Sequence, residues 1–351
     1  MTDRKPFVRV PVDMGEEMRQ TVIDMGIFDK EHRIISEDGF LYIPLTHYDE
    51  EVQRRLNSAE VEVGERDFET TVEGPRSLTE ALQDKMSAKA LEHLPRAYDL
   101  IGDIAVLEIP DEIQEYSNAI GEAFHQIHPN FSTVLAKRGA ISGTKRVREY
   151  QYLHGEEKTH TVHTEYGFRI AVDLARAYFS PRLLQEHHRV AQQVEPGATV
   201  IDMFTGVGPF AIHIAGTCEC TVYAIDINPD AIALLEESIS MNRLKGEIFP
   251  VVADASEYVS QNFDKNVDRI IMNHPSGAAE FVGDACAAIR EGGILHYYDF
   301  LGGEDAESVL ETKIQRLVRE ADREIALIDK MRRVRDSAPY EYQMVADIVI
   351  H

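Results

Sequence analysis

Four short stretches of the sequence each lead to a polar residue that can hold or activate a ligand. The stretches read TVIDMF, TVYAID, IFPVVAD and VDRIIMN, and their polar residues are Asp202, Asp226, Asp254 and Asn273. Each stretch is an apolar run of strand length that alternates with helical patterns, which predicts a parallel sheet covered on both faces. Because ligands bind beyond the carboxyl ends of such strands, we expect these four side chains at one site.

The turn after the first of these strands, GVGPFA, fits the G-x-G-x-x-G/A pattern of dinucleotide-binding turns. Gly206 and Gly208 allow the backbone to approach a ligand closely before the helix begins. Asp226 follows Gly206 by twenty residues, a spacing that suits a carboxylate accepting hydrogen bonds from ribose hydroxyls. These features fit a nicotinamide dinucleotide and S-adenosylmethionine equally well.

The remaining strand ends favour S-adenosylmethionine. Asp254 suits the exocyclic amine of an adenine, and the turn from Asn273 to Pro275 places an amide and backbone carbonyls around a planar nitrogen base. Asp202 suits the amino group of a methionine moiety, whereas it repels a pyrophosphate. The residues expected to bind S-adenosylmethionine are Asp202, Phe204, Gly206, Gly208, Asp226, Ile227, Asp254, Asn273 and Pro275.

The charge balance restricts the partners. The chain has 61 acidic residues against 36 basic ones, a formal charge of -25, and only 11 of its basic residues are Lys. A carboxylate-rich, lysine-poor surface stays hydrated in concentrated salt, where its self-repulsion is screened within about 3 Å at 1 M. The composition therefore predicts a halophilic protein. Affinity for nucleic acid then requires a local basic patch.

Membrane, export and metal signals are weak. No apolar run approaches the roughly 20 residues of a membrane span, and the opening MTDRKPFVRVPVDMGEE shows no export signal, so we expect a cytoplasmic protein without membrane contact. We also expect no metal site, because neither the cysteines nor the histidines show a paired ligand spacing. The residues concerned are Cys218, Cys220, Cys286, His160, His163, His187 and His188.

The segments before the predicted sheet have other patterns. Residues 1–63 alternate short β-like runs with a helical pattern from Glu16 to Met25, which predicts a small α/β module. A polar stretch over residues 64–78 predicts a linker. Residues 79–157 combine a strand pair, a helix after Pro110 and a closing segment rich in Lys and Arg. The fold class is therefore α/β, with a Rossmann-like sheet over residues 158–351, a middle α+β domain and a small N-terminal module.

A set of longer motifs runs through nearly the whole chain. In order, they are KRVREYQYLHG, VDLARAYFSPRLLQE, VIDMFTGVGPFAI, YAIDINPDAI, RIIMNHP, EGGILHYY and SAPYEY. With these motifs the chain resembles the archaeal-type, class I tRNA methyltransferases that methylate N1 of guanosine 37 beside the anticodon. The resemblance implies an N-terminal module that binds the outer corner of folded tRNA, a middle RNA-binding domain and a methyltransferase domain that uses S-adenosylmethionine. We expect tRNA as the partner and a monomeric protein.

The resemblance also implies roles for single residues. N1 of guanine carries a proton and is a poor nucleophile, so its methylation needs a base at N1 and a partner for the charge that grows on O6. Glu186 matches the family's proposed base, Arg146 matches the arginine aimed at O6, and Asn273 matches the residue that orients the guanine. We expect the stretch DKMRRVRD to contact RNA, and we expect RNA-backbone contacts from Lys137, Arg138, Lys145, Arg148 and Arg182.

One departure and two alternative functions remain. His274 stands where the family usually has Leu or Pro, and we interpret it as a tolerated change in the turn. An aminocarboxypropyl transferase of wyosine synthesis uses the same cofactor with a different carbon attacked, but Glu186 and the Asn-x-Pro turn favour methyl transfer. A non-catalytic tRNA-binding protein with a decayed cofactor site is the other alternative, which the complete set of strand-end residues argues against.

Overall fold

A computed structural model describes residues 2–56, 61–70, 74–142, 147–303, 305–338 and 340–351. The chain divides into two compact units, Met1–Arg76 and Ser77–His351. Within the described residues, no helix is long and apolar enough to cross a membrane.

The first unit is built on an antiparallel sheet with strand order β2-β3-β1-β4. Alternating apolar side chains of β1, Val8 and Val10, pack in one core with Met18 and Val22 of the first helix, whose predicted position is confirmed. The elements are β1 (Thr2–Pro11), α1 (Gly15–Asp24), β2 (Ile35–Glu37), β3 (Phe40–Pro44), α2 (Glu50–Leu56) and β4 (Glu62–Glu69).

Strand β4 occupies part of the stretch over residues 64–78 that the sequence indicated as a linker. It runs antiparallel to β1, with Glu69 opposite Thr2 and Gly64 opposite Phe7. Phe68 is buried, whereas most of its neighbours in the strand are half or fully exposed. An edge strand that buries so little apolar surface has the polar composition of a linker, so composition alone did not reveal it.

The second unit begins with a smaller sheet of order β5-β6-β7-β8. Strands β5 and β6 form the predicted antiparallel hairpin, which turns at Gly102 with a φ of 55°. Phe124 of the helix Ser117–Ile127 packs in the core on this sheet. The elements are α3 (Leu78–Leu82), α4 (Ala88–Leu91), β5 (Tyr98–Ile101), β6 (Ile104–Leu107), α5 (Ser117–Ile127), β7 (Thr133–Ser142) and β8 (Val147–Gly155).

The rest of the second unit contains the predicted Rossmann-like sheet, preceded by an antiparallel hairpin of β9 and β10. Its strand order is β13-β12-β11-β14-β15-β17-β16, in which the first five strands are parallel and β17 and β16 are antiparallel to their neighbours. The elements are β9 (His160–Glu165), β10 (Phe168–Asp173), α6 (Leu184–Ala191), β11 (Thr199–Asp202), α7 (Pro209–Thr217), β12 (Thr221–Asp226), α8 (Pro229–Met241), β13 (Glu247–Val252), α9 (Ala255–Asn262), β14 (Val267–Met272), α10 (Val282–Ala288), β15 (Ile289–Gly302), α11 (Ala306–Glu320), β16 (Ile325–Ala338) and β17 (Glu341–Ile350).

The order of this sheet fixes where a ligand can bind. From β11 the chain proceeds outward through β12 and β13, then returns to the other side of β11 with β14. The loops after β11 and β14 therefore diverge and leave a crevice at the carboxyl ends of the strands. Buried aliphatic side chains of these strands, including Ile201, Ile225 and Ile270, form the core beneath that crevice.

Candidate active site

A cavity of about 830 Å³ lies in this crevice, at the switch point where the strand order reverses between β11 and β14. Three of the four strand-end side chains that the sequence predicted at one site, those of Asp226, Asp254 and Asn273, line this cavity, and Asp202 does not. Seven of the nine expected cofactor-binding residues line the cavity: Phe204, Gly206, Asp226, Ile227, Asp254, Asn273 and Pro275.

The Asp226 carboxylate at the end of β12 is fixed by backbone donors. Its Oδ2 accepts a hydrogen bond from the Gly206 amide and its Oδ1 accepts one from the Asn228 amide, both at 2.8 Å. Burial raises the pKa of Asp226, and these two amides oppose the rise. Because each oxygen can accept a second hydrogen bond, the carboxylate suits a pair of ribose hydroxyls.

Asp202 at the end of β11 is fully buried and does not itself line the cavity, although the next residues, Met203 and Phe204, do. Neither of its oxygens accepts a hydrogen bond of normal geometry from the described residues. Burial raises the pKa of Asp202 to about 7, although Thr205 and the Phe204 amide lie near enough to favour the charged form. A buried carboxylate without a firm partner fits an incoming cationic amino group.

The two glycines of the first turn have different tasks. Gly206 has a φ of 56° and lines the cavity, and the nearest atom to an added Cβ is the Tyr178 carbonyl oxygen at 3.7 Å. Gly208 has a φ of 81° and does not line the cavity, and a Cβ there would lie 2.2 Å from Cδ1 of Leu235. Gly208 therefore allows the turn before α7 to pack closely against Leu235 of α8, whereas Gly206 lies at the cavity surface, where close approach of its backbone to a ligand stays a prediction.

Apolar side chains form a second part of the cavity wall. The Phe204 ring lies 5.0 Å from the His274 ring and 4.9 Å from the Phe281 ring. Ile227, after β12, keeps 52% of its surface exposed. These groups suit the faces of a planar heterocycle. His274 therefore lies in the cavity wall, and Phe281 adds an aromatic ring that the sequence did not single out.

A hydrogen-bond chain from Arg335 fixes the amide of Asn273. Arg335 Nε donates to Gln343 Oε1 at 2.7 Å, and Gln343 Nε2 donates to Asn273 Oδ1 at 3.0 Å. Since a guanidinium can only donate, Gln343 must direct its oxygen to Arg335 and its NH₂ group to Asn273. The Asn273 oxygen is thereby engaged, and its NH₂ group is the polar end left for the cavity.

A second cavity of about 320 Å³, called here the basic cleft, is lined by Asp99, Lys137, Arg148, Tyr150, Arg182 and Arg335, with further side chains around them. Lys137 Nζ lies 2.9 Å from Asp99 Oδ2, and Arg182 Nε lies 2.7 Å from Asp99 Oδ1. Burial raises the pKa of Asp99, but the two cations outweigh burial and lower it. Tyr178, Phe300 and Arg335 line both cavities, so the basic cleft adjoins the first cavity.

Three of the five residues expected to contact the RNA backbone, Lys137, Arg148 and Arg182, thus lie in the basic cleft. Arg138 does not line it and donates a hydrogen bond to Gln151. Lys145, and with it Arg146, expected at O6 of guanine, lies outside the described residues.

The structure places Glu186, the expected base, in a buried polar network rather than in the cavity wall. The residue is 1% exposed and lies in the first turn of α6. Its Oε1 accepts hydrogen bonds from Arg189 Nη2 at 2.7 Å and from the Tyr298 hydroxyl at 2.6 Å, and Arg332 of β16 forms an ion pair with Oε2. In this state both carboxylate oxygens are engaged, because three donors surround one buried anion.

Comparisons with known proteins find relatives over nearly the whole chain. Residues 161–328 match the TRM5/TYW2 methyltransferase domain, residues 78–159 the TYW2 N-terminal domain, and residues 8–53 the tRNA methyltransferase 5 N-terminal domain. The tRNA (guanine(37)-N(1))-methyltransferase Trm5b of Pyrococcus abyssi is 36% identical to this chain, with 97% of each chain covered. The chain belongs to the Trm5 family.

Two further relatives place the chain within the wider group. The aTrm5 chain of a solved complex with tRNALeu is 33% identical to this chain, and the match covers 98% of this chain and 99% of that one with a TM-score of 0.70. The tRNA(Phe) (4-demethylwyosine(37)-C(7)) aminocarboxypropyltransferase of Pyrococcus horikoshii is more distant, at 27% identity over 77% of this chain and 95% of its own. The Trm5 proteins are therefore nearer to this chain than that aminocarboxypropyltransferase.

Sequence reasoning missed three polar residues of the site. Tyr178 stands inside the motif VDLARAYFSPRLLQE, and Arg335 stands inside the basic stretch DKMRRVRD, so both lay within segments already marked as functional. Gln343 carried no signal, since its role depends on β17 pairing with β16 and bringing it opposite Arg335.

Proposed function

We propose that this protein transfers a methyl group from S-adenosylmethionine to N1 of guanosine 37 in tRNA. The observation that carries the proposal is the direct adjacency of the two cavities, which share Tyr178 and Arg335. A nucleoside-binding cavity at the switch point continues into a cleft lined by cations. This arrangement suits an enzyme that holds a nucleoside cofactor beside an RNA strand.

The chain supplies groups for each part of the cofactor. Asp226 suits the ribose hydroxyls, Asp254 the adenine amine and Asp202 the amino group of the methionine moiety. When bound, S-adenosylmethionine supplies an electrophilic methyl group on a sulfonium. These carboxylates accept hydrogen bonds, and Asp202 would repel a pyrophosphate, which separates the site from a dinucleotide site.

Methylation requires that the N1 proton leave as the new N–C bond forms and the S–C bond breaks. We assign the proton to Glu186, which the resemblance to the family marks as the base. Because Arg189 and Arg332 hold Glu186 in this structure, the assignment requires Glu186 to release one of them when RNA binds. Arg332 lies on β16 with Arg335 of the basic cleft, so phosphate groups reaching that strand would compete with Glu186 for it.

Charge on O6 of guanine grows as the N1 proton leaves, and donors aimed at O6 stabilise it. The Asn273 NH₂ group, oriented by Gln343 and Arg335, is such a donor. We propose that Asn273 and Arg146 share this task. A carbonyl oxygen in the same place would repel O6, so the orientation of the Asn273 amide decides whether it stabilises or destabilises the charge on O6.

The remaining assignments concern the larger parts of the chain. We propose that residues 1–63 bind the outer corner of tRNA, that residues 79–157 with Arg182 hold the RNA backbone, and that residues 158–351 form the catalytic domain. The formal charge of -25 and the scarcity of Lys support a halophilic protein that acts in concentrated salt. We also propose an archaeal source and a cytoplasmic monomer, in line with the family resemblance.

The proposal is tested by nucleoside mass spectrometry of unmodified tRNA after incubation with the protein and S-adenosylmethionine. We expect 1-methylguanosine, dependent on a guanosine at position 37, and a single-turnover rate about 10²–10⁴-fold lower for Glu186→Gln with tRNA affinity unchanged. A product carrying an aminocarboxypropyl group, or no product, would overturn the function. A Glu186→Gln rate equal to that of the wild type would remove only the base assignment.

A further inference from the structure

A buried cluster of two histidines and a carboxylate shares no residue with the lining of the active-site cavity or of the basic cleft. Glu165 ends β9, His187 lies on α6 and His213 lies on α7. All three side chains are at most 1% exposed, and one ligand atom from each lies within 4.8 Å of the other two. Glu165 Oε2 is 2.8 Å from His187 Nδ1 and 3.0 Å from His213 Nε2.

The charge of this cluster is not balanced by a fixed cation. Among the described residues, the ion-pair partners of Glu165 are all histidines and include no Lys or Arg. A carboxylate buried without a cation is costly.

One carboxylate oxygen of the cluster is also free to bind a ligand. Glu165 Oε1 is buried and accepts no hydrogen bond in the described structure, so the carboxylate has a second oxygen available. His163 Nε2 is 3.9 Å from this oxygen, but His163 Nδ1 accepts a hydrogen bond from the Gly102 amide. His163 therefore carries its proton on Nε2 and is not a ligand without breaking that bond.

We propose that Glu165, His187 and His213 bind one divalent transition metal ion, for which zinc is the best fit. Two imidazole nitrogens and a carboxylate are a common zinc donor set, and the second carboxylate oxygen completes four donor atoms. Calcium and magnesium prefer oxygen ligands only. Zinc bonds of about 2.0–2.2 Å to these atoms require the cluster to open by a few tenths of an ångström. The ring protons then move to the opposite nitrogens, Nε2 of His187 and Nδ1 of His213.

Such an ion would be structural. It would join the β9–β10 hairpin to α6 and α7, which sit on the Rossmann-like sheet. It would also complete the neutralisation of Glu165 without any residue of the two cavities. The proposal therefore stands independently of methyl transfer.

The wild-type protein provides the first test. Full-length protein made without a metal-affinity tag is treated with a chelator, incubated with zinc at about 10 µM free ion and passed through gel filtration. We expect one zinc per chain by plasma mass spectrometry, a melting temperature several degrees higher than without zinc, and no such rise with magnesium. Cobalt in place of zinc should give visible absorption bands typical of four-coordinate nitrogen and oxygen ligands. Protein that retains no zinc and gives no cobalt bands would overturn the proposal and leave a network of hydrogen bonds only.

Variants give the second test. Glu165→Gln and His213→Gln should each lose at least 90% of the retained zinc. The control is His160→Gln, since His160 is an exposed histidine of the same strand, 3.2 Å from Glu237, and should keep one zinc per chain. Equal zinc retention by the cluster variants and the control would overturn the site. If a cluster variant does not fold, the wild-type stoichiometry and the cobalt spectrum decide.

Discussion

At the scale of single residues, Asp202 combines complete burial with the lack of a firm hydrogen-bond partner. Burial raises its pKa from 3.8 to about 7, so the folded state holds its proton more tightly than the unfolded state does. The contribution of Asp202 to the free energy of unfolding is then fully present below about pH 4 and is lost as the pH rises toward 7. A shift of this size corresponds to roughly 4 kcal/mol at the upper end of that window.

We therefore expect Asp202→Asn to melt at a higher temperature than the wild type at pH 8 and at a similar temperature at pH 4. The same substitution should weaken S-adenosylmethionine binding, because the amide no longer offers a negative charge to the amino group. Thermal unfolding at the two pH values and calorimetric titration measure both effects. Lower stability of the variant at pH 8 would show that the carboxylate is better compensated than its contacts indicate.

A second expectation concerns Gln343. In Gln343→Glu the new carboxylate accepts from Arg335 and also faces Asn273 with an acceptor, so Asn273 must turn its NH₂ group away from the cavity. The donor for O6 is lost, and we expect the single-turnover rate to fall by about 10²–10³-fold at saturating tRNA and cofactor. Gln343→Met is the matched control, since it leaves the Asn273 amide free to turn either way and should cost less. Equal rates for the two variants would contradict the orientation argument.

The sequence predicted the residues that follow directly from strand ends, because a strand end needs only local periodicity to be located. It did not predict how Glu186 is held. Its partner Arg332 lies on a strand 146 residues later in the chain, where β16 pairs with β17. Gly208 fits the same motif as Gly206, but its neighbour Leu235 is fixed by helix packing, which the motif does not encode.

At the scale of elements, the parallel strands and the β5–β6 hairpin agree with the periodicity from which they were predicted. The edge strand β4 was interpreted as part of a linker because Phe68 is the one buried residue among its eight, and the others are partly or fully exposed. The histidine cluster escaped notice for a related reason. Its members come from one strand and two helices, and a spacing of 26 residues between His187 and His213 matches no local metal motif.

At the scale of the whole molecule, the acidic composition determines the salt concentration at which the protein is folded and active. We expect maximal activity in molar KCl and unfolding or aggregation at low ionic strength, because 61 carboxylates repel one another when unscreened. Circular dichroism measures folding and methyl-transfer rates measure activity at KCl concentrations from roughly 0.05 to 3 M, a range over which charge screening changes from weak to strong. A protein that is folded and most active in dilute buffer would contradict the halophilic assignment.

The pairing of Lys137 and Arg182 with Asp99 in the basic cleft has a further effect on RNA binding. These cations already share an internal counterion, so a phosphate that arrives beside them exchanges one anion for another. Fewer ions are then set free into the solvent, and the logarithm of the dissociation constant should depend only shallowly on the logarithm of the salt concentration. Replacing Asp99 with Asn should strengthen binding in dilute salt and steepen that slope. The Asp99 carboxylate would thus make RNA affinity less sensitive to salt, since it lowers the affinity in dilute salt and limits the loss of affinity as the salt concentration rises.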